Sequence, residues 1–206
     1  MSKILLVLSS PRGEASHSTR VARELVRSLT ANDPAADVVV RDLAASPLPH
    51  LDGGFLAALH TDAAGRTPEQ AEAVARADSL VAELKAADTI VIASAMINFA
   101  PTSTLKSWFD NLLRAGVTFS YDETGPHGLV TGKKAYLVAA QGGIYSDGPG
   151  KPFDFQVPYL RHLLGFMGIT DVEVVTIEGV VFGPDAAEKA VQAALDRVSS
   201  LPALAA

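Results

Sequence analysis

Five short aliphatic runs, at residues 4–8, 38–40, 90–92, 135–139 and 172–177, are spread along the chain and alternate with stretches of helical apolar spacing. A run such as Ile4-Leu5-Leu6-Val7-Leu8, with no polar residue on either face, reads as a strand buried on both sides. Parallel strands of this kind need crossovers that cover the sheet, and those crossovers are right-handed. Between the runs, Val21, Leu25, Val26 and Leu29 share one helical face, as do Leu105, Trp108, Phe109 and Leu112, with Trp108 expected in the core and Gly116 placed to cap that helix. Thr67-Pro68-Glu69-Gln70 carries an N-cap, a proline at the first helical position and a capping-box glutamine, and starts a helix bearing Val74, Val81 and Leu84 that stops near Asp88. Further helices are expected at about 157–167 and 185–199, a short apolar turn at 55–59, and a loop at 125–132. The expectation is an α/β, doubly wound, five-stranded parallel sheet of order 2-1-3-4-5 with helices on both faces, formed by residues 1–206 as one domain.

Composition removes several function classes. The 206 residues include 17 Lys+Arg and 23 Asp+Glu, for a net charge of −6, with no basic run to follow a phosphate backbone, so nucleic acid is not an expected partner. With no cysteine, a disulfide, a thiolate metal site and a cysteine nucleophile are all excluded, and redox chemistry needs a bound cofactor. The first apolar run is too short for a signal-peptide core and no stretch is long enough for a membrane span, so a cytoplasmic protein is expected. The five histidines lack metal-site spacing and there is no G-x-S-x-G elbow.

In an open α/β sheet the ligand lies beyond the carboxyl ends of the strands, where strand order reverses. That rule selects the segments after strands 1, 3 and 4. The first, Ser10-Pro11-Arg12-Gly13-Glu14-Ala15-Ser16-His17-Ser18, runs into a helix N-terminus, where backbone N–H groups, the helix dipole and hydroxyls can hold a phosphate. It contains neither a P-loop nor a G-x-G-x-x-G pattern, and no acidic cluster for Mg²⁺, which leaves the phosphate of a mononucleotide. The second, Met96-Ile97-Asn98-Phe99, offers an apolar shelf and an amide to a flat heterocycle. In the third, Ala140-Gln141-Gly142-Gly143, paired glycines let backbone N–H groups approach a ligand edge. Each segment alone also fits an ordinary capping, core-plugging or turn role.

Taken together, Ser9-Ser10-Pro11-Arg12 with Ser16-x-Ser18, the 96–99 segment, Leu105-Lys106-x-Trp108, the run 114–119, Gly128-Leu129-Val130-x-Gly132-Lys133 and Gly142-Gly143 resemble the FMN-dependent NAD(P)H azoreductases and quinone reductases, a flavodoxin-like family. The resemblance runs almost end to end. It implies that Ser10, Ser16, His17 and Ser18 hold the FMN phosphate, that Met96, Ile97, Asn98 and Phe99 contact the isoalloxazine, and that Ala140, Gln141, Gly142 and Gly143 approach its pyrimidine edge. It further implies a homodimer and a ping-pong reaction in which NADH or NADPH reduces the flavin and a quinone or azo compound then takes the electrons. No acid or base side chain is assigned, because the cofactor carries the chemistry. Three departures stand out: Ile97 where the family more often has tyrosine, Ala140-Gln141 where many members have Ser-Arg or Thr-Arg, and His60 where some carry an arginine thought to select NADH over NADPH. A flavodoxin-type electron carrier, a general NAD(P)H:FMN reductase and a binding protein that has lost FMN are the alternatives.

Overall fold

The computed structural model describes residues 2–31, 33 and 35–201. Its main sheet contains β1 (Lys3–Leu8), β2 (Asp37–Asp42), β3 (Thr89–Ala95), β6 (Lys134–Ala140) and β7 (Asp171–Ile177), all parallel and ordered β2-β1-β3-β6-β7. Counting only these strands, the order is the expected 2-1-3-4-5. Side chains alternate between two cores. Leu5, Val7, Ile90, Ile92, Ala135 and Leu137 meet α3 (Pro68–Ala86), α4 (Ser103–Leu112) and α5 (Val157–Phe166). Ile4, Leu6, Leu8, Val91, Tyr136 and Val138 meet α1 (His17–Leu29) and α6 (Pro184–Ser199). A buried aliphatic side chain of this kind contributes roughly 1.5–3 kcal/mol over an exposed one, so the central strands are fixed by burial on both faces. The edge strand β2 is different: Val38, Val39 and Val40 are all part-exposed, and Arg41 ties the strand to α3 through Glu83.

The α3 start follows the sequence closely. Gln70 N–H donates to Thr67 Oγ1 at 3.3 Å and Thr67 N–H to Gln70 Oε1 at 3.0 Å. Trp108 is fully buried against Phe109. Three local expectations change. Residues 55–59 lie within a helix, α2 (Gly53–Leu59), capped by Asp52, which accepts from Phe55 N–H at 2.7 Å, and packed through Phe55 and Ala58 on Val74 and Ala77 of α3. Two leading glycines mask it in the sequence. The 125–132 loop contains half of an antiparallel hairpin, β4 (Phe119–Asp122) with β5 (Gly125–Gly128). Asp122 binds the Thr124 hydroxyl at 2.6 Å and the His127 ring at 2.8 Å. The Thr124 hydroxyl, its N–H and then His127 pull that carboxyl down to about 2. Gly128 is required, since a Cβ there would lie 2.1 Å from Gly168 N. Finally, α4 ends at Leu112, before Gly116, which takes φ +75° in the turn that leads to β4. Among the described residues, no helix is long and apolar enough to cross a membrane, and no group of three or more His, Asp or Glu could hold a metal ion.

Candidate functional site

The carboxyl ends of β1, β3 and β6 lie side by side in the sheet, so the three polar loops converge. The first begins with a fold-back: Gly13 N–H donates to Ser10 O at 3.1 Å and Arg12 N–H to Ser10 Oγ at 3.3 Å. It then enters α1, whose N-cap position is Ser16. Ser16 makes no side-chain cap. Its hydroxyl instead lies 3.0 Å from that of Ser18, both of them buried. Arg20 N–H is the first to close an intrahelical bond, to Ser16 O, which leaves the N–H groups of His17, Ser18 and Thr19 as the helix's orphan donors. Thr19 Oγ1 is buried without a partner.

The second loop is a two-residue reversal. Ile97 N–H donates to Ala100 O at 2.8 Å and Ala100 N–H to Ile97 O at 3.1 Å, with Asn98 at φ +48° and Phe99 at φ +71° between them. Two positive φ values at the centre define a type I′ turn, which normally takes Asn-Gly. Asn98 suits its place, whereas Phe99 is a sterically costly occupant. Its carbonyl accepts from Phe155 N–H at 3.0 Å, and its ring meets those of Tyr145 and Phe153.

The third loop is tied on both sides. Met96 N–H donates to Ala140 O at 2.8 Å, and Gln141 N–H to Ile177 O at 2.8 Å. Gly179 N–H reaches Gly143 O at 3.0 Å, and Val181 N–H reaches Gly142 O at 3.1 Å. Glu178 accepts from Tyr145 N–H at 2.6 Å, from Ser146 N–H at 2.7 Å and from the Ser146 hydroxyl at 2.5 Å. These contacts clamp the loop to the end of β7.

A cleft of about 200 Å³ joins the three loops. Ser10, Ser16 and His17 line it from the first, Met96 and Ile97 from the second, Ala140 and Gly142 from the third. The other candidates stand outside its wall. Ser18 is fully buried behind Ser16, Asn98 opens on a neighbouring cavity, and Phe99 and Gly143 belong to the turn and the clamp beside it. Gln141 is buried, with Nε2 unpartnered. Val180 and Val181, beyond β7, also line the cleft, together with Arg12. Those valines carry no sequence signal, because Val-Val-Phe after a strand reads as core.

No carboxylate lines the cleft, and Glu14 in the same loop is occupied by Arg23 at 3.0 Å. One end therefore offers free N–H groups, hydroxyls and Arg12 to an anion, and the other offers an apolar wall of Met96, Ile97, Val180 and Val181. A phosphate ester joined to a flat ring system fits both ends. The uncapped helix start is the feature that such an anion would satisfy.

Fold and site together define a flavodoxin-like mononucleotide-binding protein. A family profile described as flavodoxin-like fold matches residues 2–201. The chain is 56% identical to the FMN-dependent NADH:quinone oxidoreductase 1 of Rhizobium etli over 98% of each chain. It is 54% identical to the FMN-dependent NADH:quinone oxidoreductase of Mesorhizobium japonicum, over 97% of this chain and 95% of the relative. Among solved structures, the azoreductase from Bacillus anthracis str. Sterne superposes with a TM-score of 0.89 at 34% identity, covering 97% of both chains. An FMN-dependent NADH-azoreductase from Bacillus anthracis str. Ames Ancestor, solved in complex with FMN, gives 0.86 at 26% identity, over 97% of this chain and 98% of that one. The chain belongs to the flavodoxin-like family of these quinone oxidoreductases and azoreductases.

Proposed function

We propose that this protein is an FMN-dependent NADH:quinone oxidoreductase that also reduces azo compounds, working as a single-domain subunit of a homodimer in the cytoplasm, where NADH is supplied. The observation that carries the reading is the one cleft in which the free donors of α1 and the apolar wall around Ile97 meet. Bound there, FMN supplies reversible two-electron hydride chemistry between a nicotinamide donor and a quinone or azo acceptor.

The protein's own part is to bind and orient. Ser10, Ser16 and the first N–H groups of α1 hold the phosphate, whose charge the α1 dipole favours, and Ser18 acts from behind through its hydroxyl contact with Ser16. Met96 and Ile97 support the ring, the 98–99 turn sets its edge, and the clamped 140–143 backbone fixes the end where charge builds on reduction. Glu178 is a positioning residue, acting through the loop it holds. Two features support a second copy over the site. Phe99, Phe153 and Phe155 form one exposed apolar group beside the cleft, and Val181 and Phe182 another. Exposed apolar patches of this kind at a site mark an interface. Sedimentation of the FMN-loaded protein at a monomer mass would refute the dimer.

Titration of the purified protein into FMN should quench the flavin fluorescence. Under anaerobic conditions NADH should then bleach the bound flavin, and menadione should restore its colour with many turnovers. A chain that binds FMN but is not reduced by NADH would be an electron carrier instead. Removing both hydroxyls, Ser16→Ala with Ser18→Ala, should weaken FMN binding at least about tenfold, with the far-UV circular dichroism unchanged. Unchanged affinity would refute the phosphate assignment.

A further inference from the structure

The two edges of the main sheet are finished differently. At β7, Gln141 N–H takes Ile177 O on the β6 side, so by alternation Val172 turns its backbone groups to the free side. Arg161 of α5 donates to Val172 O at 2.6 Å, and Arg197 pairs with Glu173 beside it. A charged side chain laid on an edge carbonyl blocks the addition of another strand. At β2 there is no such guard. Asp37 N–H donates to Ser2 O and Leu43 N–H to Leu8 O, so the odd-numbered residues bond to β1, and Val38 and Val40 turn both backbone groups outward. Among the described residues, no side chain or loop bonds to either of them. Val38, Val39 and Val40 are 36, 41 and 47% exposed. Val39 faces α3 across a groove of about 300 Å³, bordered by the small residues Ser79, Ala82 and Ala86, so no bulky side chain stands over the strand there.

An open apolar edge accepts a further strand, and its charges decide which one. This edge reads Asp37-Val38-Val39-Val40-Arg41, with an acid at one end, a base at the other and valine between. Such a segment is complementary to itself when reversed. An antiparallel ladder forms only where outward-turned residues face one another. Of the registers that satisfy this, the one with Val39 on the two-fold axis sets Asp37 opposite Arg41 of the partner subunit. Registers centred on Val38 or Val40 set Asp37 or Arg41 against Val39 of the partner subunit and leave the charges unmatched. Among the described residues Asp37 has no ionic partner of its own, and Arg41 uses two of its five donors on Glu83. We propose that β2 is a docking edge for a second copy of this chain, paired antiparallel about Val39 so that two five-stranded sheets become one continuous sheet. Val38 then exchanges both backbone hydrogen bonds with Val40 of the partner subunit, and Asp37 meets Arg41 of the partner subunit at each end. The contact shares no residue with the cleft and does not depend on how the cleft is read. Combined with a dimer over the site, it makes a tetramer.

Because the chain has no cysteine, a single introduced one reports the register. In Val39→Cys the two copies of the residue face each other as a non-hydrogen-bonded pair, with Cα atoms about 4.5 Å apart and within disulfide reach. In Val38→Cys they lie diagonally, about 7–8 Å apart and beyond it. Mild oxidation of the FMN-loaded protein should therefore cross-link Val39→Cys into a dimer on a non-reducing gel and leave Val38→Cys mainly as single chains. No cross-link in Val39→Cys, or equal cross-linking of both, overturns the pairing. Sedimentation equilibrium over a series of protein concentrations reads the same contact without a cysteine. Val40→Pro removes an outward N–H that β1 does not use, and should halve the mass of the wild-type assembly while FMN binding and bleaching by NADH stay unchanged. A mass that Val40→Pro does not alter overturns the docking edge, whichever other contact the chain makes. Asp37→Arg, which sets like charges opposite each other, should weaken the association at least about tenfold. An association as strong as that of the wild type overturns the register.

Discussion

At the end of β1 the chain turns into α1 and builds its anion site chiefly from backbone, whereas at the end of β3 it reverses on two side-chain-bearing residues held at positive φ. The first junction uses what every helix start has, unpaired N–H groups, and adds the hydroxyls of Ser16 and Ser18 without committing either to a cap. The second places Asn98 and Phe99 in the left-handed region, at roughly 1–2 kcal/mol for an ordinary L-residue. The turn's paired hydrogen bonds and the Phe155 N–H on Phe99 O offset that cost. A site made of backbone tolerates changes of side chain that keep its charge, while a shelf made by a strained turn depends on which residues stand in it.

Reversing the charge at the first junction gives the largest expected effect. Aspartate is a better N-cap than a serine that does not cap, so Ser16→Asp should keep or raise the melting temperature of the FMN-free protein. Its carboxylate would occupy the anion site, and FMN affinity should fall by more than about a hundredfold. If affinity and stability fall together, the serine is structural and the contrast between the junctions is lost. At the second junction, Asn98→Val places a β-branched residue at φ +48° and should lower stability by about 1–2 kcal/mol. Asn98→Gly should leave it nearly unchanged, as read by denaturant unfolding. Ile97→Tyr should move the ratio of kcat/KM values between acceptors more than the FMN dissociation constant. If neither moves, Ile97 does not face the acceptor. The smallest effect is expected at Glu178→Gln, which keeps the shape of the clamp and weakens three charge-assisted hydrogen bonds. Hydrogen exchange at Tyr145 and Ser146 should quicken while the global unfolding free energy changes by no more than about 1 kcal/mol.

The sheet was legible because burial on both faces demands unbroken aliphatic runs, and because Thr67-Pro68-Glu69-Gln70 encodes a helix start within four residues. Helix α2 was not, because Gly53-Gly54 lowers local propensity and only packing on Val74 and Ala77 sustains it. The β4–β5 hairpin escaped for a related reason: Gly-Pro-His-Gly has no strand pattern, and Gly128 is fixed by its approach to Gly168. Loop composition marked the polar ends of the site. Val180 and Val181 could not be marked, since valines that line a cleft and valines that fill a core look alike in sequence.

The sequence by itself determined the number and order of the main strands, the loops that meet at the switch point, and a chemistry that depends on a borrowed cofactor in a chain without cysteine. Those features are local or follow from the rules for covering a parallel sheet. Only the tertiary structure decided which residues of each loop turn toward the cleft, that Gln141 is buried away from its wall, and that Ile97 separates it from a neighbouring cavity. A side chain's direction depends on strand register, on the backbone angles of a single turn and on which neighbour fills the space behind it. None of these is carried by one segment alone.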